Sequence, residues 1–427
     1  MAWDSEVVVT GIGVVSPIGI GRAEFWRALA DSKSGIVDLP GIDTVGFPRS
    51  FGGAVLEFDG RQYVQPRKAL KVMSRELQIG YAASMMALDD AKIIKRQISA
   101  NRVGTVFGSE MYIAPPDDSI DTVKAVFSPE HGVVDHREIV RLWGESIQSN
   151  LFPLWLLKYL PNMPACHVGI AIDAQGPNNS LVLGDTSGLA AIIEAATVIL
   201  RGHADVMIAG ASGTKINPMR LMVGGPGPYA SRRTLLSESS RPYASDRDGF
   251  VGGEGAAAVV LETAAHANSR GAPILARISG WSNRLIAAPR GTRGSSQAVS
   301  ACLSDATRMA RLKPSQISHV DGHAMGDPQM DSAEALGIIK AIPGTLVTAT
   351  KSLYGHLGAA CGMVEFAGAV LSIINGFVPP TLNAEVIADD CPVQVATRCH
   401  DTDGRAVIKL SHTNLGHAIA IAIQPPM

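Results

Sequence analysis

The chain has 427 residues, of which 46% are hydrophobic and 18% charged, and its formal net charge is -2. A chain of this length and composition can bury a large core and is too long for one small domain, so we expect one large globular unit or two fused halves. The near-neutral net charge provides no global field that would attract a polyanion, which argues against nucleic acid as a partner.

The cysteines and the first residues predict an intracellular protein without a metal or redox motif. The five cysteines are Cys166, Cys302, Cys361, Cys391 and Cys399. None forms a C-x-x-C pair, so we predict reduced thiols and no bound metal. The N-terminal segment has no basic n-region, and no uninterrupted apolar run reaches the ~18 residues that a membrane span needs. We therefore predict a soluble, cytoplasmic chain that makes no membrane contact.

Short apolar runs alternate with helical patterns along the chain. The first run, Val7 to Thr10, is predicted to be a buried strand that ends in a tight turn through Gly11, Gly13 and the Ser16-Pro17 pair. Further strands are predicted at 104–107, 206–209, 256–261, 345–348 and 418–423, and helices at 72–91, 189–200, 295–310 and 332–339. This alternation predicts an α/β protein whose sheets are covered by helices.

Two stretches interrupt the alternation, and both are predicted to be insertions over one face of the protein. Residues 113–162 are rich in Pro, Trp and charge, and residues 215–247 are rich in Gly, Pro, Ser and Arg. Neither is of sufficiently low complexity to be disordered. The chain has no obvious linker, and only a loose break falls near residues 270–273.

The segment 176–188 predicts a strand, a tight turn and the first turn of a helix. It places Asp185 at the positive end of a helix dipole, where free N–H groups stabilise an anion. A thiol in that position would be activated as a thiolate. The alternative is that Asp185 serves only as a helix N-cap, a role that aspartate fills well.

Two later segments carry histidines beside acids and a lysine. His323 is followed by Asp331 and Glu334, and Lys351 precedes His356. Two histidines and a lysine that converge on a helix N-terminus suit a carboxylate or thioester carbonyl that must be polarised while charge develops on oxygen. Taken singly, a histidine after an apolar run is more often structural, and the flanking acids favour a catalytic role here.

These segments resemble the motifs of β-ketoacyl synthases, which form carbon-carbon bonds in fatty acid and polyketide assembly. Residues 176–188 resemble G-P-N-x-S-x-x-x-A-C-x-(S/T)-G, and gapless alignment puts Asp185 on the nucleophilic cysteine. Residues 321–334 resemble E-A-H-G-T-G-T-P-x-x-D-x-x-E, and residues 350–360 resemble K-(S/A)-x-x-G-H-x-x-(G/A)-A-A. His323, Asp331, Glu334, Lys351 and His356 fall on matching positions, and further matches lie at 9–19, 241–256 and 379–383.

The resemblance implies a thiolase-like α/β fold, in which two similarly built halves stack as a five-layer αβαβα sandwich and the protein dimerises. The halves would span 1–270 and 271–427. The active site would lie between them, with Asp185 from the first half facing His323, Lys351 and His356 from the second. In the family these histidines bind the malonyl thioester and stabilise its enolate. No metal or organic cofactor is implied, and substrates would arrive on the phosphopantetheine arm of an acyl carrier protein or coenzyme A.

The chain departs from the family at two places that the chemistry needs. The late family motif N-S-F-G-F-G-G-T-N carries a phenylalanine gate over the acyl pocket, whereas this chain has Thr413 at that position and His417 at a glycine. No residue near Asp185 in the sequence replaces the thiol, and Cys166 and Cys361 have the small-residue context of buried, inert cysteines. An acyl-aspartyl anhydride would hydrolyse readily, and a carboxylate repels the malonyl group, so ordinary condensation is not expected.

Three functions remain open. The first is a non-condensing homologue that acts beside an active synthase, as chain-length factors do. Its partner in the dimer would be either that synthase or a second copy of this chain. The second is a malonyl-thioester decarboxylase, or another acyl-thioester transferase that uses His323 and His356 without a covalent intermediate. The third is a non-catalytic scaffold that binds an acyl carrier protein. Its cationic patch would be Arg67, Lys68, Lys71 and Arg75, although such a run on a helix is also typical of a solvated face.

Overall fold

A computed structural model describes residues 6–42, 47, 49–94, 97–129, 135–223, 227–287 and 292–426 of the chain. The strands are β1 Val7–Ser16, β2 Gly19–Ile20, β3 Ile36–Asp38, β4 Phe51–Gly53, β5 Val103–Gly108, β6 Asn178–Leu181, β7 Val206–Thr214, β8 Glu254–Thr263, β9 Ala276–Leu285, β10 Ile317–Asp321, β11 Leu346–Thr348, β12 Phe377–Val378, β13 Gln394–Val395, β14 His400–Asp401, β15 Ala406–His412 and β16 His417–Gln424. The helices are α1 Arg22–Ala30, α2 Arg75–Asp90, α3 Ile120–Val126, α4 His136–Asn150, α5 Met163–Ile172, α6 Ser187–Leu200, α7 Pro218–Val223, α8 Ala264–Ser269, α9 Thr292–Met309, α10 Pro328–Ala341, α11 Lys351–Tyr354 and α12 Cys361–Asn375.

The main sheet consists of two halves with similar strand order. The order is β13-β11-β10-β15-β16-β9-β1-β8-β7-β5-β6, with β2 paired to β1 at the side. In the first half β6, β5 and β7 run parallel and β8 and β1 continue antiparallel. In the second half β13, β11, β10 and β15 run parallel, and β16 and β9 continue antiparallel. The halves meet where residues 7–9 of β1 pair with residues 276–278 of β9.

Helices cover the outer faces of both sheet halves and fill the space between them. On one outside α2 packs on β1, β7 and β8, and on the other α9 packs on β9 and β16 with α10 beside it. Between the halves, α6 packs on β5 and β7, while α12 contacts β8 of the first half and β15 of the second. The succession of helix, sheet, helix, sheet and helix is a five-layer α/β sandwich.

Helix α12 is the core helix of this sandwich. It is buried at every residue from Cys361 to Ile373, as expected for a helix that is apolar on almost all sides. With the turn before it, the segment Gly358–Asn375 is long and apolar enough to cross a membrane, yet 89% of that segment is buried inside the fold. Its apolar character is thus accounted for by the protein interior.

The first strand is longer than the sequence predicts. β1 continues through Gly11 and Gly13 to Ser16, so the turn predicted at these glycines is wrong. The turn predicted at Ser16-Pro17 is confirmed, because the chain turns at residues 17–18 into β2. A Cβ atom on Gly11 would lie 2.2 Å from the carbonyl oxygen of Ala87, and one on Gly13 would lie 1.9 Å from that of Ala83. The glycines therefore allow helix α2 to approach the strand, and this contact explains why they occur there.

The other predicted strands and helices are confirmed, with boundaries shifted by a few residues. The predicted strands correspond to β5, β7, β8, β11 and β16, and the predicted helices to α2, α6, α9 and α10. The sequence patterns did not identify β9, β10, β15 or α12. The stretch 113–162 contains α3 and α4, and the stretch 215–247 contains α7. Their status as insertions, and the division after residue 270, stay predictions.

Candidate active site at the N-terminal ends of the central helices

The predicted strand, turn and helix around Asp185 are present. Strand β6 ends at Leu181, a 3-10 turn spans Gly184–Thr186, and α6 begins at Ser187. Thr186 occupies the N-cap position of α6, so capping is not the role of Asp185. The Asp185 side chain is 8% exposed, and its carboxylate faces two histidines that lie far away in the sequence.

Both predicted histidines direct their Nε2 atoms at Asp185. The Oδ1 atom of Asp185 lies 3.2 Å from Nε2 of His356, and its Oδ2 atom lies 3.8 Å from Nε2 of His323. The two imidazole rings are nearly perpendicular, with centroids 6.0 Å apart, and both side chains are fully buried. The edge of the Phe250 ring system contacts His356 at a centroid distance of 5.4 Å.

The topology explains why these residues meet. His323 follows β10 and His356 follows β11 and α11, and these two strands are parallel neighbours, so both histidines emerge at the same edge of the sheet. Asp185 precedes α6, which packs beside α12 between the two sheet halves. The site therefore joins the two halves at the N-terminal ends of the central helices, where helix dipoles favour an anion.

Lys351 determines which nitrogen of His323 carries the proton. Its Nζ atom donates to the His323 carbonyl oxygen at 2.9 Å, lies 3.1 Å from Nδ1 of His323, and is ion-paired with Glu365. Burial lowers the pKa of Lys351, but the Glu365 carboxylate outweighs it and raises the pKa above the ordinary value. A charged ammonium group can only donate, so Nδ1 accepts and the neutral ring carries its proton on Nε2. Burial and the nearby Lys351 charge lower the pKa of His323 to about 3.

A second buried lysine completes this network, and the sequence patterns did not identify it. Nζ of Lys409 lies 2.7 Å from Glu365 and 3.2 Å from Asp321, so Glu365 is shared by two cations. Burial raises the pKa of Glu365, but Lys351 and Lys409 together lower it below its ordinary value. A lone acid inside the apolar helix α12 and a lone lysine inside the apolar strand β15 are the signals that could have indicated a buried ion-pair network.

The charges of Asp185 and His356 depend on each other. Burial raises the pKa of Asp185, but His356, His323 and Lys215 outweigh it and hold the pKa well below the ordinary value. Burial lowers the pKa of His356, but the Cys361 sulfur and the Asp185 carboxylate raise it to about 9. The pair is therefore a buried carboxylate and imidazolium at neutral pH.

Asp185 and the two histidines resemble a cation site in their spacing but not in their protonation. One ligand atom each from Asp185, His323 and His356 lie within 4.8 Å of one another, which would admit an ion with bonds of about 2 Å. A metal-bound histidine donates its other ring N–H to an acceptor. Nδ1 of His323 instead faces the Lys351 ammonium group, so its Nε2 lone pair is not available and the donor set does not fit a metal.

Two sequence models of known families match the chain. They are "Beta-ketoacyl synthase, N-terminal domain" over residues 4–267 and "Beta-ketoacyl synthase, C-terminal domain" over residues 275–385. The chain belongs to the β-ketoacyl synthase family. It is 33% identical over 391 residues to 3-oxoacyl-[acyl-carrier-protein] synthase 2 of Vibrio cholerae, covering 89% of both chains. It is 30% identical over 429 residues to the oxytetracycline polyketide putative β-ketoacyl synthase 1 of Streptomyces rimosus, covering 99% of this chain and 97% of the relative.

Solved ketosynthases have the same fold. A ketosynthase solved in complex with its type II polyketide acyl carrier protein matches with a TM-score of 0.80 at 25% identity, covering 99% of this chain and 100% of the other. A β-ketoacyl synthase from Burkholderia phymatum matches with a TM-score of 0.82 at 23% identity and the same coverage. The predicted thiolase-like sandwich is therefore confirmed.

Within this ketosynthase fold, the predicted supporting acids hold the loop that follows His323. Glu334 accepts the backbone N–H groups of His323 and Ala324 and pairs with His412 at 3.0 Å. Asp331 accepts the backbone N–H groups of residues 325 and 326. Burial raises the pKa of Glu334, but His412 outweighs it and lowers the pKa to about 2. The described contacts give both acids a positioning role.

The loop at the family's gate position is tied to the Asp185 turn. Thr413 lies in the turn between β15 and β16, where its N–H group donates to the His417 carbonyl oxygen at 2.8 Å and its own carbonyl oxygen accepts from Ser295. The imidazole of His417 lies 2.9 Å from the Thr186 hydroxyl and 2.7 Å from Asn283. His417, rather than Thr413, thus reaches the residue next to Asp185.

The predicted carrier patch is divided between two elements. Arg67, Lys68 and Lys71 lie exposed on a 3-10 helix, whereas Arg75 begins α2. The Arg75 guanidinium group pairs with Glu254 at 2.8 Å. The four cations therefore do not form one helical face, and the ion pair ties Arg75 into the fold; carrier docking at this patch stays a prediction.

Proposed function

We propose that this ketosynthase homologue does not condense acyl groups and acts beside a catalytically complete synthase of fatty acid or polyketide assembly. The observation that carries the proposal is the Asp185 carboxylate, which lies between His323 and His356 in a turn whose sequence resembles the family's cysteine motif. Condensation begins with acyl transfer to a thiolate, and an ion-paired carboxylate of low pKa is a poor nucleophile. The altered gate at Thr413 and His417 supports the same reading.

Malonyl decarboxylation is the second candidate, because the Lys351–His323 pair still offers a fixed N–H donor toward the site. A malonyl carboxylate would have to enter beside the ionised Asp185, and two like charges in a buried site repel each other. Removal of that charge is therefore required before decarboxylation becomes favourable. This repulsion does not act on an uncharged acyl thioester. Transfer of such a thioester, and a scaffold that only binds the carrier, therefore stay alternatives.

A second chain, either a copy or a paralogue, is proposed to pair along the outer edge of β6. In the described part of the chain β6 ends the sheet with an unpaired edge, which is a template for pairing with another strand. Large apolar side chains lie beside it, with Ile170 at 75%, Val182 at 44% and Leu183 at 40% exposure. A surface of this kind fits a protein partner.

An acyl carrier protein is proposed as the second partner, presenting substrate on its phosphopantetheine arm, without any bound cofactor in the chain. The exposed cations Arg67, Lys68 and Lys71 support this, because carrier proteins that dock by charge require a positive patch. A relative of the same fold has been solved with its acyl carrier protein.

We also propose a cytoplasmic location, which fits the burial of the long apolar helix α12.

Acyl loading tests the central proposal. The purified chain is incubated with an acyl carrier protein charged with a short acyl group, and its intact mass is measured. We expect no acyl adduct on the wild-type chain and an adduct on Asp185→Cys, while Asp403→Cys controls for nonspecific thiol acylation at an exposed site. A stable adduct or a condensation product from the wild-type chain would overturn the proposal.

Co-purification with a catalytically complete β-ketoacyl synthase of the same organism tests the pairing. The expected result is a heteromeric complex whose products differ in chain length from those of the synthase alone. A chain that remains a homodimer and never alters a partner's products would contradict the role beside another synthase.

A further inference from the structure

The imidazole of His356 contacts a different side chain at each of its two ring nitrogens. Nε2 faces the Asp185 carboxylate at 3.2 Å, and Nδ1 lies 3.1 Å from the sulfur of Cys361. The same sulfur accepts the backbone N–H group of Leu357 at 3.0 Å. Cys361, His356 and Asp185 therefore form a continuous buried row, of which the proposed function uses only the last two members.

We propose that Cys361 is a positioning residue, whose sulfur holds His356 as an imidazolium in line with Asp185. A protonated imidazole has two N–H donors, and each needs an acceptor when it is buried. The Asp185 carboxylate provides a charged partner 3.2 Å from Nε2, and the Cys361 sulfur lies within hydrogen-bond distance of Nδ1 at 3.1 Å. The sequence predicts a buried, inert thiol at this position. The sulfur is buried as expected, but it lies within hydrogen-bond distance of His356.

The position of Cys361 in the fold makes its sulfur a suitable hydrogen-bond acceptor. Cys361 is the first residue of α12, a helix of 15 residues, and electron-rich groups are favoured at the N-terminal end of a helix. The Leu357 N–H group adds a second donor to that of His356. An alanine at this position would leave the Nδ1–H group of His356 buried without its acceptor, which disfavours the charged ring.

The other charged and titratable groups around His356 do not replace the sulfur. His323 comes from the loop after β10 and presents its neutral ring at 6.0 Å between centroids. Lys215, after β7, acts on Asp185 and is ion-paired with Glu110 at 2.7 Å. Lys351 is engaged by His323 and Glu365. Against the effect of burial, the pKa of His356 is raised to about 9 because the Cys361 sulfur and the Asp185 carboxylate both favour the charged ring.

This inference deepens the proposed function and rests on it, because it explains how the histidine half of the site is kept ordered without a nucleophilic cysteine at residue 185. Because Asp185 and Cys361 already face the two ring nitrogens of His356, the charged ring needs no bound substrate as a partner. The two proposals remain separable, since acyl loading is read by mass and the charge of His356 is read by NMR.

The test is histidine-selective 15N NMR of the full-length chain, titrated between pH 5 and 10 for the wild type, Cys361→Ala and Cys361→Ser, with His356→Gln to assign the signal. The matched control is Cys302→Ala, another fully buried thiol, which contacts the carbonyl oxygens of Ser282 and Ala418 instead. We expect the wild-type ring to be charged at pH 7. Cys361→Ala should lower its apparent pKa by at least one unit, which is a tenfold change in proton affinity, and Cys361→Ser should lower it less.

Two results would overturn the proposal. The first is a neutral His356 in the wild type at pH 7, which requires no variant and so stands even if Cys361→Ala does not fold. The second is a Cys361→Ala chain in which the apparent pKa of His356 is the same as in the wild type, or a Cys302→Ala chain in which this pKa falls as much as in Cys361→Ala. A wild-type chain that loads acyl groups would refute the proposed function without changing the reading of this titration.

Discussion

Replacement of Asp185 by Asn should convert the chain into a malonyl-thioester decarboxylase. The change keeps the shape of the side chain and removes its charge. A malonyl carboxylate held by the two histidines would lie about 4–5 Å from the Asp185 carboxylate, and like charges at that separation repel by roughly 3–4 kcal/mol at an effective dielectric constant of about 20. Relief of this repulsion corresponds to roughly two to three powers of ten in rate.

The assay is release of labelled carbon dioxide from malonyl-acyl carrier protein. We expect Asp185→Asn to exceed the wild type by at least about a hundredfold, and His323→Ala in the same background to abolish the gain, because His323 supplies the fixed N–H donor. Asp403→Asn removes an exposed carboxylate by the same chemistry and should leave the rate unchanged. If folded Asp185→Asn releases carbon dioxide no faster than the wild type, the charge of Asp185 is not what prevents decarboxylation.

Three further results are expected. Folding raises the pKa of His356 from about 6.5 to about 9, so protonation of this ring stabilises the folded protein fully below pH 6.5, and this stabilisation is lost as the pH rises through 9. The melting temperature of the wild type should therefore fall across that range. A fall of equal size in His356→Gln would contradict this. Lys409→Met should lower the free energy of unfolding by about 3–5 kcal/mol in urea titrations, because it leaves buried carboxylates without their cation, whereas exposed Lys340→Met should change little. Charge reversal at Arg67 and Lys71 should weaken carrier binding about tenfold or more in calorimetry, and unchanged affinity, or an equal loss in Lys340→Glu, would remove the carrier patch.

Local patterns in the sequence were sufficient to identify the elements that carry the site. The turn before α6, the loop after β10 and the segment after β11 are each encoded within about a dozen consecutive residues, because glycines, apolar periodicity and capping preferences act over that distance. The turn pattern singled out Asp185, the resemblance to the family's motifs singled out His323, Lys351 and His356, and the structure brings all four together. The glycines of β1 were misread because their partner is helix α2, whose approach is not visible in the strand's own sequence.

By itself, the sequence determined the α/β class, the order of the motifs and the absence of a thiol at residue 185. Only the tertiary structure decided the charges, because a pKa depends on groups that folding brings within a few ångströms of each other. Lys351 sets the tautomer of His323 across the site, Lys409 and Glu365 meet from a strand and a helix, and Cys361 reaches the far side of His356. Whether Asp185 carries a proton is therefore a property of the assembled core, in which burial raises its pKa and the surrounding His356, His323 and Lys215 lower it by more.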